Sequence, residues 1–183
     1  MIVGIIIGVI VIALIGYLIS LYNSLVKMRN TVEEAFSTMD VYLKQRWDLV
    51  PNLVETVKGY AKHEKDTLTQ VLAARAGAYT DMSTEEKIAA NKKLTEGLGR
   101  LFAVAEAYPQ LQANESFQNL QAELSRLETD IANSRKYYNG AVRHYNDKVQ
   151  MFPNNIFAGM FKFTKKEMFE IEEKQRENVK VSF

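Results

Sequence analysis

The first 26 residues form an apolar run unlike the rest of the chain. Ile2–Ile19 consists almost wholly of Ile, Val, Leu, Ala and Gly, and the first charged residue is Lys27. A helix needs about 20 such residues to cross the roughly 30 Å hydrocarbon core of a bilayer. In that core a helix pairs its own backbone groups, so β-branched residues are tolerated there. Residues 1–26 are therefore predicted to form a transmembrane anchor.

A cleaved signal peptide is the competing interpretation of this run. It would begin with a basic region and end in a small-x-small cleavage site, and residues 1–26 show neither pattern. Tyr17 and Tyr22 stand near the C-terminal end of the run, where amphipathic rings suit a membrane interface. The sequence favours an anchor that is retained.

The charges after the anchor bear on its orientation. Lys27 and Arg29 follow the run, and the positive-inside rule then predicts a cytoplasmic helical domain with the N-terminus outside. Glu33 and Glu34 partly offset these two charges, so the bias is modest.

Gly4 and Gly8 form a Gly-x-x-x-Gly pair inside the predicted span. Small residues four positions apart let two helices approach closely, so this pair is a candidate face for self-association of the anchor. Glycine is also common in transmembrane helices, and such pairs arise by chance.

Beyond the anchor, apolar residues recur every three or four positions, which indicates amphipathic helices. The first helix is predicted from about Thr31 to Tyr79, with a kink or local break at Pro51. No helix-breaking residue lies between Ser20 and Arg29, so helix is expected to continue from the anchor. The residues on its apolar stripe are Phe36, Met39, Leu43, Trp47, Val50, Val54, Val57, Leu68 and Val71.

Three further helices are predicted. Ser83 and Glu86 have the spacing of a capping box, which starts a helix that ends near Ala107. A long helix follows Asn114, a plausible N-cap, and ends before Pro153. Its seam residues are Phe117, Leu120, Leu124, Leu127, Ile131, Ser134, Tyr138, Ala141, Tyr145 and Lys148. A short final helix is expected around Lys165–Arg176. The chain is thus predicted to be all-α: an N-terminal transmembrane helix, then an elongated antiparallel bundle of long helices over residues 27–183.

Several polar features are unusual for a plain bundle. Arg46, Glu64 and Arg75 fall on or beside the apolar stripe of the first helix, where charges are costly unless paired. They are candidates for contacts between helices or between subunits, and an exposed edge of the stripe is the alternative. The Phe152–Phe169 region combines five phenylalanines with three lysines. It either touches a lipid surface or closes the end of the bundle.

Tyr-Asn dipeptides recur along the chain. They occur at Tyr22-Asn23, Tyr138-Asn139 and Tyr145-Asn146, the last two one heptad apart. A hydroxyl beside an amide is able to form a polar layer between helices, which sets register more than stability.

A search for catalytic or ligand-binding chemistry yields little. His63-Glu64 begins like a metalloprotease helix, but Thr67 occupies the position of the second histidine. The chain contains no cysteine, and its net charge of +1 argues against a nucleic-acid binder. No catalytic residue, metal site or cofactor is therefore predicted. A metal-assisted hydrolase using His63, Glu64 and His144 is the least favoured interpretation.

Many short motifs resemble those of the bacterial LemA family, in order from Tyr22 onward. They include Tyr22-Asn23-Ser24-Leu25-Val26, Ala35-Phe36-Ser37, Asp48-Leu49-Val50-Pro51-Asn52-Leu53-Val54-Glu55, Val57-Lys58-Gly59-Tyr60-Ala61, Leu98-Gly99-Arg100-Leu101, Glu106-Ala107-Tyr108-Pro109, Tyr138-Asn139 and Tyr145-Asn146. The resemblance implies a membrane-anchored bundle of long helices with a short extracytoplasmic N-terminus, and it supplies no catalytic residues. Some relatives are lipoproteins with a cysteine near the anchor, whereas this chain has Ser20 there.

Two functions from different classes follow. The leading hypothesis is a non-enzymatic scaffold that self-associates at the membrane surface as a homo-oligomer, in contact with membrane lipid. The alternative is an adaptor or regulator of a membrane protease or sensor, because the resemblance implies an association with proteases of the HtpX type.

Overall fold

The computed structural model describes residues 1–75 and 77–169, and all regular secondary structure within them is helical. The all-α prediction is confirmed. The α-helices are α1 Ile2–Tyr60, α2 Lys65–Ala74, α3 Thr84–Glu106, α4 Pro109–Gln112, α5 Glu115–Gln150 and α6 Asn154–Met160. A 3-10 turn, Tyr79–Asp81, precedes α3.

The chain forms two compact units. Among the described residues, the terminal unit comprises residues 1–35 and 137–169, and the central unit comprises residues 36–136. The helices α1 and α5 each contribute to both units.

In the terminal unit, α1 begins inside the apolar run and continues through Ser20–Arg29 without interruption, as the sequence predicts. The first part of the run is bare of other protein: its large apolar side chains are exposed up to Ile15, and burial first appears at Leu21. The buried side chains of this unit are Leu21, Leu25, Val32, Ala35, Tyr138, Val142, Tyr145, Val149, Ala158, Phe163 and Phe169. The core therefore starts within the last residues of the apolar run, at Leu21.

In the central unit, the predicted stripe of α1 is largely buried. Met39, Leu43, Trp47, Val50, Val54 and Val57 all lie in the core. The buried side chains that the following helices contribute to this unit include Leu94, Leu98, Leu101, Leu111, Phe117, Leu124, Leu127 and Ile131. Ser83 and Glu86 form the predicted capping box, and Asn114 accepts a hydrogen bond from the Phe117 amide at the start of α5.

The prediction of one helix from Thr31 to Tyr79 is wrong. The helix ends at Tyr60, a turn follows at Ala61–Glu64, and α2 occupies Lys65–Ala74. The break lets α2 pack on α3 and bury Leu68 and Val71. A helix that continued straight after Tyr60 would lose the free energy gained by burying these two side chains.

Of the kink or local break predicted at Pro51, the local break is absent, since α1 runs through this residue as helix. Proline has no amide hydrogen, so the Trp47 carbonyl loses its donor four residues later. The Arg75 Nε instead donates a hydrogen bond of 3.0 Å to that carbonyl. The guanidinium also lies over the Trp47 ring, 5.8 Å from its centroid. Arg75 thus replaces the backbone donor that Pro51 removes.

The final helix predicted at Lys165–Arg176 is wrong as far as it can be followed. Lys165–Phe169 is not helical, and Glu170–Arg176 lies outside the described residues. The backbone of this stretch bonds to side chains of α5 instead of to itself.

We predict that Arg75 and Pro51 are energetically coupled. Arg75→Met leaves the Trp47 carbonyl without its donor and should lower the free energy of unfolding by about 1–3 kcal/mol. In a Pro51→Ala background the residue-51 amide supplies that bond, so the same substitution should cost about 1 kcal/mol less. Denaturant titration of the full chain in mild detergent measures the cycle.

The matched control is Arg100→Met, because Arg100 is exposed and pairs with Gln70. Its cost should be small and equal in both backgrounds. An equal cost of Arg75→Met in both backgrounds would contradict the assignment.

Candidate functional site at the end of the apolar helix

In the terminal unit, a set of hydrogen bonds joins side chains of α5 to the backbone of residues 164–169, here called the return segment. Asn146 donates to the Lys166 carbonyl at 2.9 Å and accepts from the Lys166 amide at 2.9 Å. Asn139 makes the same pair of bonds with the Phe169 carbonyl, at 2.9 Å, and amide, at 2.8 Å. Each asparagine therefore satisfies both backbone groups of one residue.

Two tyrosines complete this arrangement, which we call the Tyr-Asn clamp (Tyr138, Asn139, Tyr145 and Asn146). The Tyr138 hydroxyl donates to the Glu167 carbonyl and the Tyr145 hydroxyl to the Thr164 carbonyl, both at 2.9 Å. All six bonds end on backbone atoms of the return segment. Through these six bonds the clamp fixes the backbone of the return segment and does not depend on its side chains.

The spacing of the clamp explains the shape of the segment. One heptad on α5 rises about 10.5 Å at 1.5 Å per residue. It is matched by three residues of the return segment, from 166 to 169 and from 164 to 167. Three residues cover that distance only when nearly extended, at about 3.5 Å each. The return segment therefore runs extended and antiparallel to α5.

The sequence revealed the spacing of these dipeptides but not their partner. The interpretation as a polar layer between helices is wrong for the second and third Tyr-Asn pairs, which bind the return segment. The first pair behaves differently: the Tyr22 ring packs edge-on against Phe161 and Phe163, with centroids 5.1 and 5.7 Å apart.

The junction between α1 and α6 lies at the end of the bare apolar run. The Tyr17 hydroxyl donates to the Asn154 Oδ1 at 3.2 Å, and Tyr22 contacts Phe161 as described. The start of α6 therefore lies beside Tyr17, and the residue after its end lies beside Tyr22. The Arg29 guanidinium lies 5.6 Å from the centroid of Phe163, just beyond this level.

Apolar side chains around α6 are left open. Phe152 is 80% exposed and Met160 71%, and Met151, Ile156 and Phe161 are also exposed. Ala158, on the other side of the helix, is buried. The exposed lysines Lys162 and Lys165 follow directly. Aromatic and basic residues are thus grouped at the level of Tyr17 and Tyr22.

The electrostatics of the clamp favour a neutral phenol. Burial raises the pKa of Tyr145, and the negative charge of Glu33 adds to this effect while the Arg29 charge opposes it. A protonated Tyr145 is needed to donate to the Thr164 carbonyl. The clamp is therefore complete at physiological pH.

Arg46 lies in the central unit and is almost fully buried, with 1% of its surface exposed. Its guanidinium pairs with Glu128 on α5 and donates to the Thr95 hydroxyl at 3.2 Å and the Asn91 carbonyl at 3.3 Å, both on α3. Its Nε has no hydrogen-bond partner among the described residues. Because Glu128 remains 47% exposed, the pair keeps one solvated member. Loss of either partner from such a pair destabilises a fold, because the remaining charge is left without compensation.

Glu64 and Arg75 also lie in the central unit. Glu64 lies in the turn before α2, and its carboxylate accepts a bond of 3.3 Å from the Tyr108 hydroxyl. Burial and this carboxylate both raise the pKa of Tyr108. Arg75 donates a hydrogen bond to the Trp47 carbonyl, as described above. Whether any of the three predicted residues serves contacts between subunits stays a prediction.

A second polar cluster of the central unit was missed by sequence reasoning. Asp40 accepts from the Tyr79 hydroxyl at 2.6 Å and from the Lys87 amine at 2.7 Å. Burial raises the pKa of Tyr79, and the hydrogen bond and charge of Asp40 raise it further. No regular spacing joins these residues, so nothing in the pattern singled them out.

Gly4 and Gly8 both lie on the bare part of α1, and a Cβ added at either would meet no atom within 4 Å. His63 is exposed in the turn after α1, so His63-Glu64 is not part of a helical metal-binding motif. His144 is exposed on α5. Among the described residues, no group of three or more His, Asp or Glu is placed to hold a metal ion.

The described residues form a helical protein in which one helix, α1, is long and apolar enough to cross a membrane. The LemA family profile matches residues 35–183, so the chain belongs to the LemA family. The family match and the apolar helix together indicate a membrane-associated protein.

Curated relatives agree with the family. The chain is 28% identical to magnetosome protein MamQ 2 of Paramagnetospirillum magneticum, over 87% of this chain and 68% of that protein. It is 24% identical to magnetosome protein MamQ of Magnetospirillum gryphiswaldense, over 86% and 68%. It is 23% identical to protein LemA of Metamycoplasma hominis, over 87% and 74%. None of these names describes an enzyme.

We predict that removing one asparagine of the clamp frees its residue of the return segment. Asn146→Ala should speed hydrogen exchange of the Lys166 amide about 5- to 30-fold, which corresponds to one or two lost hydrogen bonds. Asn146→Asp keeps the acceptor oxygen, so that amide should stay protected. Exchange measured by NMR or mass spectrometry distinguishes the two variants.

Asn119→Ala is the control, because Asn119 is exposed on α5 outside the clamp. Equal exchange of the Lys166 amide in Asn146→Ala, Asn119→Ala and the unsubstituted chain would show that the clamp does not hold the segment.

Proposed function

We propose that the protein is a non-enzymatic scaffold, anchored by residues 1–26 and self-associating at the membrane surface. The observation that carries the proposal is the bare start of α1, where every residue from Ile2 to Gly16 is exposed. Exposed apolar side chains in such number belong in lipid or against another apolar helix. The same helix continues into the packed terminal unit, so anchor and domain share one element.

Self-association is assigned to Gly4 and Gly8. They lie one helical turn apart, and the open space above both leaves room for the backbone of a second copy. In lipid, close backbone approach at small residues supplies packing that larger side chains prevent. A homo-oligomer joined through this face would present several helical domains side by side on one membrane.

Helical domains displayed side by side in this way would serve assembly at the membrane and not catalysis. The ion pair of the buried Arg46 with Glu128 joins two helices of the same chain. The MamQ relatives are named for the magnetosome, and this name favours a role in a cellular structure over a chemical reaction. A scaffold needs a stable domain that is attached to the membrane. The helix α1 is part of the packed terminal unit and also contains the proposed anchor.

For orientation, we propose a cytoplasmic domain with the N-terminus outside. Lys27 and Arg29 are exposed at the end of the bare helix, where positive charge is retained on the cytoplasmic side. Because the chain has no cysteine, Ser125→Cys creates a single exposed thiol on α5. A membrane-impermeant maleimide should leave it unlabelled in intact spheroplasts and label it after lysis. Labelling before lysis would show that the domain lies outside the cytoplasm and would contradict the proposed orientation.

The self-association proposal is tested by the mass of the full-length chain in mild detergent. The unsubstituted chain should form a defined homo-oligomer, and Gly4→Leu with Gly8→Leu should weaken its association at least about tenfold, or 1.4 kcal/mol. The added side chains block close approach without removing apolar character.

Ala13→Leu is the matched control. At about 100° per residue it lies about half a turn around the helix from Gly4, so it adds bulk on the other side. Its oligomer should be unchanged. A monomeric unsubstituted chain would contradict the scaffold, and an oligomer indifferent to the glycine substitutions would remove the anchor from the interface.

A further inference from the structure

We propose that the exposed apolar face around α6 lies in the surface of the same bilayer that the start of α1 crosses. This inference rests on the proposed anchor. The occupant of the face is the interfacial region of the phospholipid bilayer, and the side chains that enter it are Phe152, Ile156 and Met160.

The first argument is the level of α6 along α1. The C-terminal end of the apolar run lies between Tyr17 and Lys27, since no charge precedes Lys27 and polar residues first appear in this interval. The junction bonds place α6 at Tyr17 and Tyr22. Tyrosines at such positions are typical of the membrane–water interface. A helix held beside them is therefore held at the interface.

The second argument is the distribution of polarity around α6. Ile156 and Met160 are spaced by four residues and share one side of α6, and both are exposed. Phe152, in the turn that precedes the helix, is exposed as well. Ala158, about 200° around the helix from Ile156, is buried. The sequence Asn154–Met160 contains no charged residue. One side of α6 thus packs on the protein while the other is apolar and open.

The third argument is what holds α6 in place. On one side the helix is joined to α1 through Tyr17, and on the other the chain enters the return segment, which the Tyr-Asn clamp fixes to α5. A seven-residue helix would not be stable alone, because nucleating a helix is costly. Here its two ends are tied to long helices, so its apolar face is presented in a fixed place.

The fourth argument is the charge beside the face. Lys162 and Lys165 are exposed directly after α6, and Arg29 lies near Phe163. A band of apolar side chains with basic residues at its edge is the composition of a surface that rests in headgroups and acyl chain ends. A second protein copy would need a complementary acidic or apolar partner face, and lipid already lies at this level of α1.

The test uses single thiols, because the unsubstituted chain has none. Ile156→Cys and Met160→Cys are each labelled with a nitroxide in full-length chain reconstituted into phospholipid vesicles. Power-saturation electron paramagnetic resonance then compares collisions with lipid-soluble oxygen and with an aqueous nickel chelate.

Two reference sites calibrate the readout. Ile10→Cys reports the middle of the bare helix. Tyr137→Cys reports an exposed site, 56% accessible, on α5 of the same unit and about 20 Å along that helix from its end at Gln150. Both α6 labels should meet the nickel chelate at least about fivefold less often than the Tyr137→Cys label, with oxygen collisions retained.

The other outcomes are distinct. If the Ile10→Cys label is in lipid and the α6 labels match Tyr137→Cys, the inference is wrong and the anchor stands. If the α6 labels are shielded from both oxygen and nickel, protein covers the face and the inference is again wrong. If the Ile10→Cys label is itself open to nickel, both the anchor and the inference fail.

Discussion

The constraint on which the rest of the structure depends is the pairing of backbone groups in the apolar run. Hydrocarbon offers no hydrogen-bond partners, so the run must be a helix that bonds to itself. Nothing between Ser20 and Arg29 ends that helix, and α1 therefore enters the domain already formed. Burial begins at Leu21, so the terminal unit is built on the continuation of the apolar helix.

A second theme is the use of side chains to satisfy backbone groups that regular structure leaves open. Arg75 bonds to the Trp47 carbonyl that Pro51 deprives of its donor. The Tyr-Asn clamp bonds to the carbonyls and amides of an extended segment that pairs with no strand in the part of the chain that the structure describes. In both places an unpaired backbone group would cost about 1–3 kcal/mol. These contacts let a chain of helices include a proline and an extended segment.

The sequence predicts most of the fold because the helical periods are long and regular. The start of α3 at Ser83 and of α5 after Asn114 follow from local capping chemistry, and the stripe of α1 follows from its spacing. The break after Tyr60 does not follow, because it depends on burial of Leu68 and Val71 against a helix distant in sequence. The path of the return segment depends likewise on partners some 20–30 residues away.

The site was predicted less completely than the fold. Gly4, Gly8 and the aromatic and basic region after Phe152 can be recognised in the sequence. That the last of these lies beside Tyr17 cannot, because it depends on a contact between residues distant in the chain. The pairing of Arg46 with Glu128 spans 82 positions and has no periodic signal. Composition marks such residues as unusual, and only the folded chain shows what each one contacts.

The central claim is that apolar helix and domain are joined by unbroken helix. Amide hydrogen exchange of the full chain in phospholipid vesicles tests it directly across residues 2–35. The account predicts continuous protection through Ser20–Arg29, with no faster-exchanging gap between the lipid-embedded part and the packed part of α1. Exchange of those ten amides at the rate of an unstructured chain would contradict it, because the anchor would then be a separate helix on a flexible hinge.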